Sequence, residues 1–312
     1  MKHRTLAGQV FVITGATSGI GLCTAQLAAQ RGAKVVLVAR SAGILESVAE
    51  VIRESGHDAI HIAADVADRE QVAAAARAAI DAFGHIDTWV NNAGVSIHGR
   101  LDEVTEEDSR RLFDVNFWGV VNGSLVALPF LKERGGALIN VGSEVSEIVL
   151  PLQGMYASSK QAVKGFTDAL RIEVEEMDQA SVSITLIQPA AVDTPHPQHA
   201  RNYLQAEPTR PAHAIDPATV AHAILKAATE GGRDVKVGAM AKLNTAVARL
   251  MPGLGDKLAA KHAARHAAKD AVGERAGEGP RGMGGALYEP SESGRIHGLP
   301  LHGALLAGTR DE

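Results

Sequence analysis

The stretch Val10-Phe11-Val12-Ile13-Thr14-Gly15-Ala16-Thr17-Ser18-Gly19-Ile20-Gly21 decides the fold, because an apolar run passes directly into a loop with three glycines. The run predicts a buried strand, and residues 20–31 have the composition of a helix. Gly15 allows a tight turn, Gly19 lets the backbone approach a pyrophosphate, and Gly21 allows the helix to pack closely on the strand. The stretch therefore predicts a dinucleotide-binding loop in which helix N–H groups face the phosphates.

Short β-branched runs alternate with longer Ala- and Leu-rich segments from residue 9 to about 190. Strands that are nearly all apolar and alternate with helices are typical of a parallel sheet covered on both faces. We therefore expect an α/β protein, with a Rossmann-like doubly wound parallel sheet of about seven strands and helices on both faces. The predicted strands are residues 10–14, 34–39, 59–63, 88–90, 137–141, 183–187 and 234–237, and predicted helices include 20–31, 43–55, 69–83 and 218–229.

The composition limits the class of protein. The 312 residues are 46% hydrophobic, which is enough for a large buried core. A net charge of −5 argues against a nucleic-acid binder. The single cysteine, Cys23, excludes an internal disulfide. Since the sequence has neither a signal-peptide core nor an apolar run of membrane-spanning length, we expect a cytoplasmic protein without an integral membrane segment.

The amino-acid composition changes twice after residue 190. Prolines and histidines concentrate at about 193–216, which indicates a substrate lid rather than a scaffold element. We expect residues 1–250 to form one dinucleotide-binding catalytic domain that includes this lid. Residues 251–312 are predicted to be a helical and flexible extension, in which a basic, alanine-rich helix precedes a disordered polar tail. That helix lacks a strong apolar face, so a membrane-surface or partner-binding role is the less favoured alternative.

The end of the second predicted strand bears on the choice of cofactor. An acidic residue at this point would bind the ribose 2′-hydroxyl of NAD. Here the chain reads Val38-Ala39-Arg40-Ser41, and Arg40 is able to pair with a 2′-phosphate. This favours NADP(H) as the cofactor. NAD(H) remains an alternative, because an arginine at a strand end can also be simply solvated.

Tyr156 and Lys160 lie four residues apart, so that one helical turn brings their side chains together. An ammonium beside a phenol favours the phenolate and lowers the pKa of the phenol, which suits a general acid or base. Ser143, thirteen residues before Tyr156, is able to donate a hydrogen bond to a carbonyl oxygen. The three residues therefore predict proton delivery to a substrate oxygen.

These motifs together resemble the short-chain dehydrogenase/reductase superfamily, in its compact single-domain branch, over about residues 6–240. The resemblance rests on five features in order along the chain: the glycine loop, Asn91-Asn92-Ala93-Gly94, Asn116, Ser143 and Tyr156 with Lys160. It implies an oxidoreductase that acts on a small-molecule carbonyl/alcohol pair, with hydride transfer to or from a nicotinamide cofactor. The predicted catalytic residues are Asn116, Ser143, Tyr156 and Lys160.

The resemblance also implies particular roles around the cofactor. Asp65 and Val66 match a pair that contacts the adenine ring, and Asn116 matches a position that holds a proton-relay water through its backbone. The segment 189–194 matches one that binds the nicotinamide end, with Ala190 in place of the usual glycine. With the glycine loop and Arg40 included, the predicted cofactor-binding residues are Gly15, Thr17, Ser18, Gly19, Ile20, Gly21, Arg40, Asp65, Val66, Asn92, Ala93, Gly94, Tyr156, Lys160, Pro189, Val192 and Thr194.

Histidines offer further candidates for a site. His98, His196 and His199 occur in loops that could face a substrate, although a surface position is the commoner arrangement for a loop histidine. His262 and His266 have the i,i+4 spacing of metal ligands, but the sequence suggests no third ligand nearby. No metal site is therefore predicted.

The remaining expectations concern the oligomeric state and two alternative functions. In the resembling family the helix around Trp118 and the Tyr156 helix pair with a second subunit, so we expect a homodimer or homotetramer. An NAD-dependent alcohol dehydrogenase of the same family is one alternative. A non-catalytic NADP(H)-binding regulator is another, and the presence of a complete proton path argues against it.

Overall fold

A computed structural model of the chain describes residues 5–204, 213–250, 253, 257, 259–261, 285–290 and 294–298. Its described part has a central seven-stranded sheet and a separate two-stranded sheet. The strands are β1 (Val10–Thr14), β2 (Lys34–Ala39), β3 (Ala59–Ala63), β4 (Thr88–Asn91), β5 (Ile97–His98), β6 (Gly136–Val141), β7 (Val182–Pro189), β8 (Arg201–Asn202) and β9 (Asp234–Val237).

The central sheet is parallel throughout, in the order β3-β2-β1-β4-β6-β7-β9. All seven predicted strands are confirmed, with ends that differ by at most two residues. The strand order reverses at β1, which pairs with β2 on one side and β4 on the other. In open α/β sheets ligands bind in the crevice at such a point, outside the carboxyl ends of the strands.

Helices cover both faces of the sheet, as predicted. They are α1 (Gly19–Gln30), α2 (Ala42–Glu54), α3 (Arg69–Phe83), α4 (Glu106–Phe113), α5 (Gly119–Arg134), α6 (Gly154–Arg171), α7 (Pro217–Glu230) and α8 (Ala239–Leu250). One apolar cluster lies between the sheet and α1, α2 and α7. A second lies between the sheet and α3, α5 and α6. Within the described ranges, no helix combines the length and the apolar character needed to cross a membrane.

A buried polar network links β4 and β6 to the helices α5 and α6. The Asn91 amide nitrogen donates to Asn140 Oδ1 at 2.9 Å and to Ser124 Oγ at 3.1 Å. The Asn91 amide oxygen accepts the indole N–H of Trp89 at 2.8 Å. Asn140 in turn donates to Thr167 Oγ1 at 2.9 Å. Since buried polar groups are costly unless they are paired, this network fixes the positions of both helices on the sheet.

The network leaves no room for a side chain at Gly123 on α5. A Cβ there would lie 2.0 Å from Asn91 Oδ1 and 2.8 Å from Trp89 Nε1. We predict that Gly123→Ala lowers the free energy of unfolding by about 1–3 kcal/mol, because overpacking forces the buried amide to move. Urea denaturation of the full chain measures this change.

Gly165 on α6 provides the matched control. A Cβ at this position meets no atom within 4 Å. Gly165→Ala should leave stability unchanged or raise it by up to about 1 kcal/mol, since alanine is the better helix former. Equal effects of the two substitutions would contradict the role assigned to the network.

Candidate active site

A cavity of about 360 Å³ lies at the carboxyl ends of β1, β4 and β6. Nearly all the predicted site residues meet around it. Those that line it are Gly15, Thr17, Ser18, Gly19, Ile20, Arg40, Asp65, Val66, Asn92, Ala93, Gly94, Ser143, Tyr156, Lys160, Pro189, Val192 and Thr194. Gly21 and Asn116 are not part of the lining, and the structure gives both of them a supporting position behind it.

The glycine loop has the shape that its sequence predicts. Gly15 and Gly19 have φ angles of +67° and +53°, in the left-handed region that favours glycine. A Cβ on Gly21 would lie 2.1 Å from the carbonyl oxygen of Gly15, so only glycine lets α1 approach the loop this closely. Ser18 precedes α1, and its side chain makes no capping hydrogen bond to the helix. The start of α1 therefore fits the phosphates of a dinucleotide, which bind to main-chain N–H groups at a helix N-terminus.

The turn after β4 holds the glycine loop in place. The amide nitrogen of Asn92 donates to the carbonyl oxygens of Thr14 at 2.9 Å and Gly15 at 3.2 Å. The Thr14 hydroxyl accepts the backbone N–H groups of Asn92 and Ala93, both at 3.0 Å. Asn92, one of the predicted cofactor-binding residues, thus uses its side chain to position the loop.

Lys160 and Tyr156 project from α6 into the base of the cavity. Lys160 is 4% exposed, and its Nζ donates to the carbonyl oxygen of Val141 at 3.0 Å. The same nitrogen lies 5.9 Å from the centroid of the Tyr156 ring. A Cβ on Gly94 would lie 3.4 Å from Asn116 Oδ1 and 3.6 Å from Lys160 Nζ. Asn116 Oδ1 and Lys160 Nζ therefore both lie next to Gly94.

Asn116 lies in a π-helical turn, Asp114–Trp118, between α4 and α5. Its amide nitrogen donates to the Val95 carbonyl at 2.9 Å and to Ser159 Oγ at 3.1 Å. Its amide oxygen accepts the Val95 N–H at 2.8 Å. The oxygen and the nitrogen of the side-chain amide are therefore both hydrogen-bonded. The π turn interrupts the α-helical ladder of main-chain hydrogen bonds, and such turns often occur at functional sites.

The titration of Tyr156 differs from the expectation that Lys160 lowers its pKa. Burial raises the pKa of Tyr156 to about 12, a hydrogen bond with Ser143 lowers it, and the charge of Glu144 raises it further. Burial also lowers the pKa of Lys160 to about 8. The physical reason is desolvation: Lys160 is buried and Tyr156 is partly buried, and the ammonium is directed at the Val141 carbonyl.

Arg40 lines the cavity, but its guanidinium is occupied by the C-terminal extension. One terminal nitrogen donates to the carbonyl oxygens of Tyr288 at 2.9 Å and Leu287 at 3.3 Å. The other donates to the carbonyl oxygens of Glu289 at 3.1 Å and Ala286. Leu287 is 1% exposed and packs in the apolar cluster beneath α3 and α5. The sequence predicted a disordered tail; the described residues 285–290 instead pack on the domain.

Asp65 and Ala190 each have a simple structural explanation. The carboxylate of Asp65 forms an ion pair with Arg111 and accepts the Ala67 N–H at 3.0 Å. In the described part of the chain, the non-glycine residues with positive φ are Leu152 and Gln179. Ala190 consequently replaces the usual glycine without backbone strain.

Three candidate histidines and Glu144 also belong to the cavity lining. His98, His196 and His199 all line the cavity, rather than the surface that loop histidines commonly occupy. Burial lowers the pKa of His98 to about 4 and is the largest cause that lowers the pKa of His196 to about 3, so both rings are neutral near pH 7. Glu144 also lines the cavity and accepts a hydrogen bond from Asn244 at 2.9 Å. For Glu144 the signal in the sequence is its position directly after Ser143. For His98 it is the position four residues after Gly94.

No metal centre emerges from the part of the chain that the structure describes, which holds no group of three or more His, Cys, Asp or Glu side chains suited to an ion. His262 and His266 lie outside the described residues.

Similar proteins of known sequence are oxidoreductases. An uncharacterized oxidoreductase of Bacillus subtilis, YxnA, is 47% identical over 264 residues, which cover 84% of this chain and 74% of that protein. The dehydrogenase/reductase SDR family member 7B of Bos taurus is 32% identical over 266 residues, or 80% of each chain.

Two solved structures share the fold. A short chain dehydrogenase/reductase from Burkholderia phymatum in complex with NAD has a TM-score of 0.71 and 29% identity, covering 79% of this chain and 96% of that one. An alcohol dehydrogenase from Thermococcus sibiricus complexed with 5-hydroxy-NADP has a TM-score of 0.64 and 30% identity, covering 73% and 94%. The family model described as short chain dehydrogenase matches residues 9–204. With this match, the parallel sheet and the glycine loop, the chain belongs to the short-chain dehydrogenase/reductase family of oxidoreductases.

Proposed function

We propose that the protein is an NADP(H)-dependent oxidoreductase that interconverts a carbonyl compound and a secondary alcohol. The observation that carries the proposal is the convergence of Ser143, Tyr156 and Lys160 on the cavity that the glycine loop borders. A cofactor-binding regulator would need the loop but not the three polar groups. Turnover of any aldehyde or ketone with NADPH supports the enzyme over the regulator.

The chain's own residues would handle the proton. When bound, the nicotinamide cofactor supplies or accepts the hydride. Tyr156 donates a proton to the carbonyl oxygen as that oxygen gains charge, and its raised pKa keeps the phenol protonated near neutral pH. Ser143, which already forms a hydrogen bond with Tyr156, donates to the same substrate oxygen and stabilises it.

Lys160 and Asn116 would restore the proton on Tyr156. The pKa of Lys160, lowered to about 8, allows it to exchange protons close to neutral pH. Asn116 lies on the other side of Gly94, in the π turn that disturbs the main-chain ladder. We therefore assign Asn116 a backbone role in holding a water that connects Lys160 to solvent.

Arg40 supports NADP(H) as the cofactor, since a guanidinium at the end of β2 is suited to a 2′-phosphate. NAD(H) is a second candidate, favoured by the hydrogen bonds from both terminal nitrogens of Arg40 to main-chain carbonyls. We further propose a homodimer or homotetramer built on α5 and α6. Trp118, which is 52% exposed between α4 and α5, supports this assembly.

We predict that Tyr156→Phe lowers kcat by about 10²–10⁴-fold, because the phenol that donates the proton is removed while the ring still fills its place. NADPH titration by fluorescence should give an affinity close to that of the wild type. Ser158→Ala is the control, since it removes a hydroxyl from the same helix that donates to the Gly154 carbonyl at 2.9 Å, and Ser158 is exposed and outside the cavity lining. Near-normal turnover of Tyr156→Phe would refute the assignment.

The raised pKa of Tyr156 predicts opposite pH profiles for the two directions. Reduction uses the protonated phenol and should stay constant between about pH 6 and 8, well below the pKa of about 12. Oxidation uses the phenolate, so its kcat/KM should rise with pH across the alkaline range. Glu144→Gln should move this rise to lower pH, because the charge of Glu144 raises the pKa of Tyr156. An oxidation profile that levels off near pH 7 would contradict the prediction.

Arg40→Ala should raise the ratio of the Kd for NADPH to the Kd for NADH. Charge-assisted hydrogen bonds contribute about 1.5–3 kcal/mol, which corresponds to a change of roughly tenfold to a hundredfold in this ratio. Fluorescence titration with both cofactors provides the measurement. Arg77→Ala, on the exposed side of α3, should leave the ratio unchanged. An unaltered ratio in Arg40→Ala would argue for NAD(H).

A further inference from the structure

Two described pieces of the C-terminal extension, residues 285–290 and 294–298, cross the cofactor cleft; we call them the strap. The strap begins at the lid, where the Ala286 N–H donates to the His199 carbonyl at 2.7 Å. Gly285 has a φ angle of +93°, and a Cβ on it would lie 2.8 Å from the Ala200 carbonyl oxygen. At the other end, the Arg295 carbonyl accepts the N–H of Gly19 at 2.9 Å. The strap therefore runs from the lid to the glycine loop.

Side chains anchor the strap on the catalytic domain. Leu287 is buried among apolar residues of the sheet and helices. The Leu287 carbonyl also accepts the Nε–H of Arg111 at 3.0 Å, and Arg111 pairs with Asp65. The Tyr288 hydroxyl donates to Asp108 at 2.9 Å. These contacts join the strap to residues far away in the sequence.

The strap uses groups that a phosphorylated dinucleotide needs. An arginine side chain has five N–H donors, and here both terminal nitrogens of Arg40 donate to the carbonyl oxygens of residues 286–289. A 2′-phosphate on Arg40 would need these donors, and its charge would lie against four carbonyl oxygens. The Gly19 N–H is occupied by the Arg295 carbonyl, in the other piece of the strap, and lies outside the competition for Arg40. The carbonyls and the phosphate thus compete for one guanidinium.

We propose that the strap is an internal competitor for the 2′-phosphate position, and that its turn 286–289 must release Arg40 before a 2′-phosphorylated nucleotide binds there. The inference rests on the proposed use of Arg40 for NADP(H). Affinity for the phosphorylated nucleotide is reduced by the fraction of molecules whose strap is docked. A nucleotide with a 2′-hydroxyl has no phosphate to place on Arg40, so the docked turn discriminates against NADP(H) and the released strap favours it.

Binding of two small probes to the full chain tests the proposal. Isothermal titration with 2′,5′-ADP and with 5′-AMP compares ligands that differ in the 2′-phosphate alone. Leu287→Ser, which removes the apolar anchor and leaves the Arg40 side chain unaltered, should tighten 2′,5′-ADP binding by at least about fivefold, the lower end of typical coupling between sites. The affinity for 5′-AMP should change less than about twofold.

Two more variants sharpen the test. Tyr288→Phe removes one anchoring hydrogen bond and should also tighten 2′,5′-ADP binding, by a smaller factor. This variant keeps the proposal testable if Leu287→Ser folds poorly. Leu250→Ser is the matched control, because this leucine is 80% exposed at the end of α8. Its affinity for both probes should equal that of the wild type.

Unchanged or weaker 2′,5′-ADP binding in both strap variants overturns the proposal. Equal tightening of both probes also overturns it, because the effect would then not involve the 2′-phosphate. The proposed function is tested separately. Tighter 2′,5′-ADP binding without turnover of any carbonyl would support the role of the strap and contradict the reductase activity. Turnover with NADPH, together with unaltered probe binding in the strap variants, would support the reductase activity and contradict the role of the strap.

Discussion

The contact between the ends of β1 and β4 is the constraint on which the site depends. The Thr14 hydroxyl accepts two N–H groups from the turn after β4, and the Asn92 amide returns a hydrogen bond to the Thr14 carbonyl. Gly21 lets α1 approach this junction, since a Cβ there would lie 2.6 Å from Asn92 Nδ2. Two residues after Asn92, Gly94 leaves the space between Asn116 and Lys160. One junction therefore aligns the glycine loop with the residues of the proposed proton path.

A second layer of polar contacts sets the orientation of α6. Thr167, which accepts the Asn140 amide, lies about two helical turns after Lys160 and about three turns after Tyr156. Residues at this spacing share one face of a helix. The buried pairing of Asn140 with Asn91 therefore helps to fix the face from which the phenol and the ammonium enter the cavity.

Local signals in the sequence were enough for the scaffold, and most of the residues they selected lie around one cavity. Apolar runs predicted every strand of the central sheet, and glycine positions predicted the loop whose φ angles the structure contains. Contacts between distant residues left no such signal: Arg40 meets Tyr288 across 248 positions. The pKa of Tyr156 also escaped prediction, because it depends on burial, which the spacing to Lys160 does not reveal.

The lid and the strap share one buried anchor, the carboxylate of Asp108. It accepts hydrogen bonds from Arg201 and Tyr203 at the lid and from Tyr288 in the strap. Burial opposes ionisation, but these three donors hold the pKa of Asp108 below its usual value, so the group is charged. A buried charge that loses a donor is costly unless water or another group replaces it. In the proposed release of the strap, Asp108 would lose the Tyr288 donor and keep those of Arg201 and Tyr203, so this carboxylate links the strap to residues 201–203.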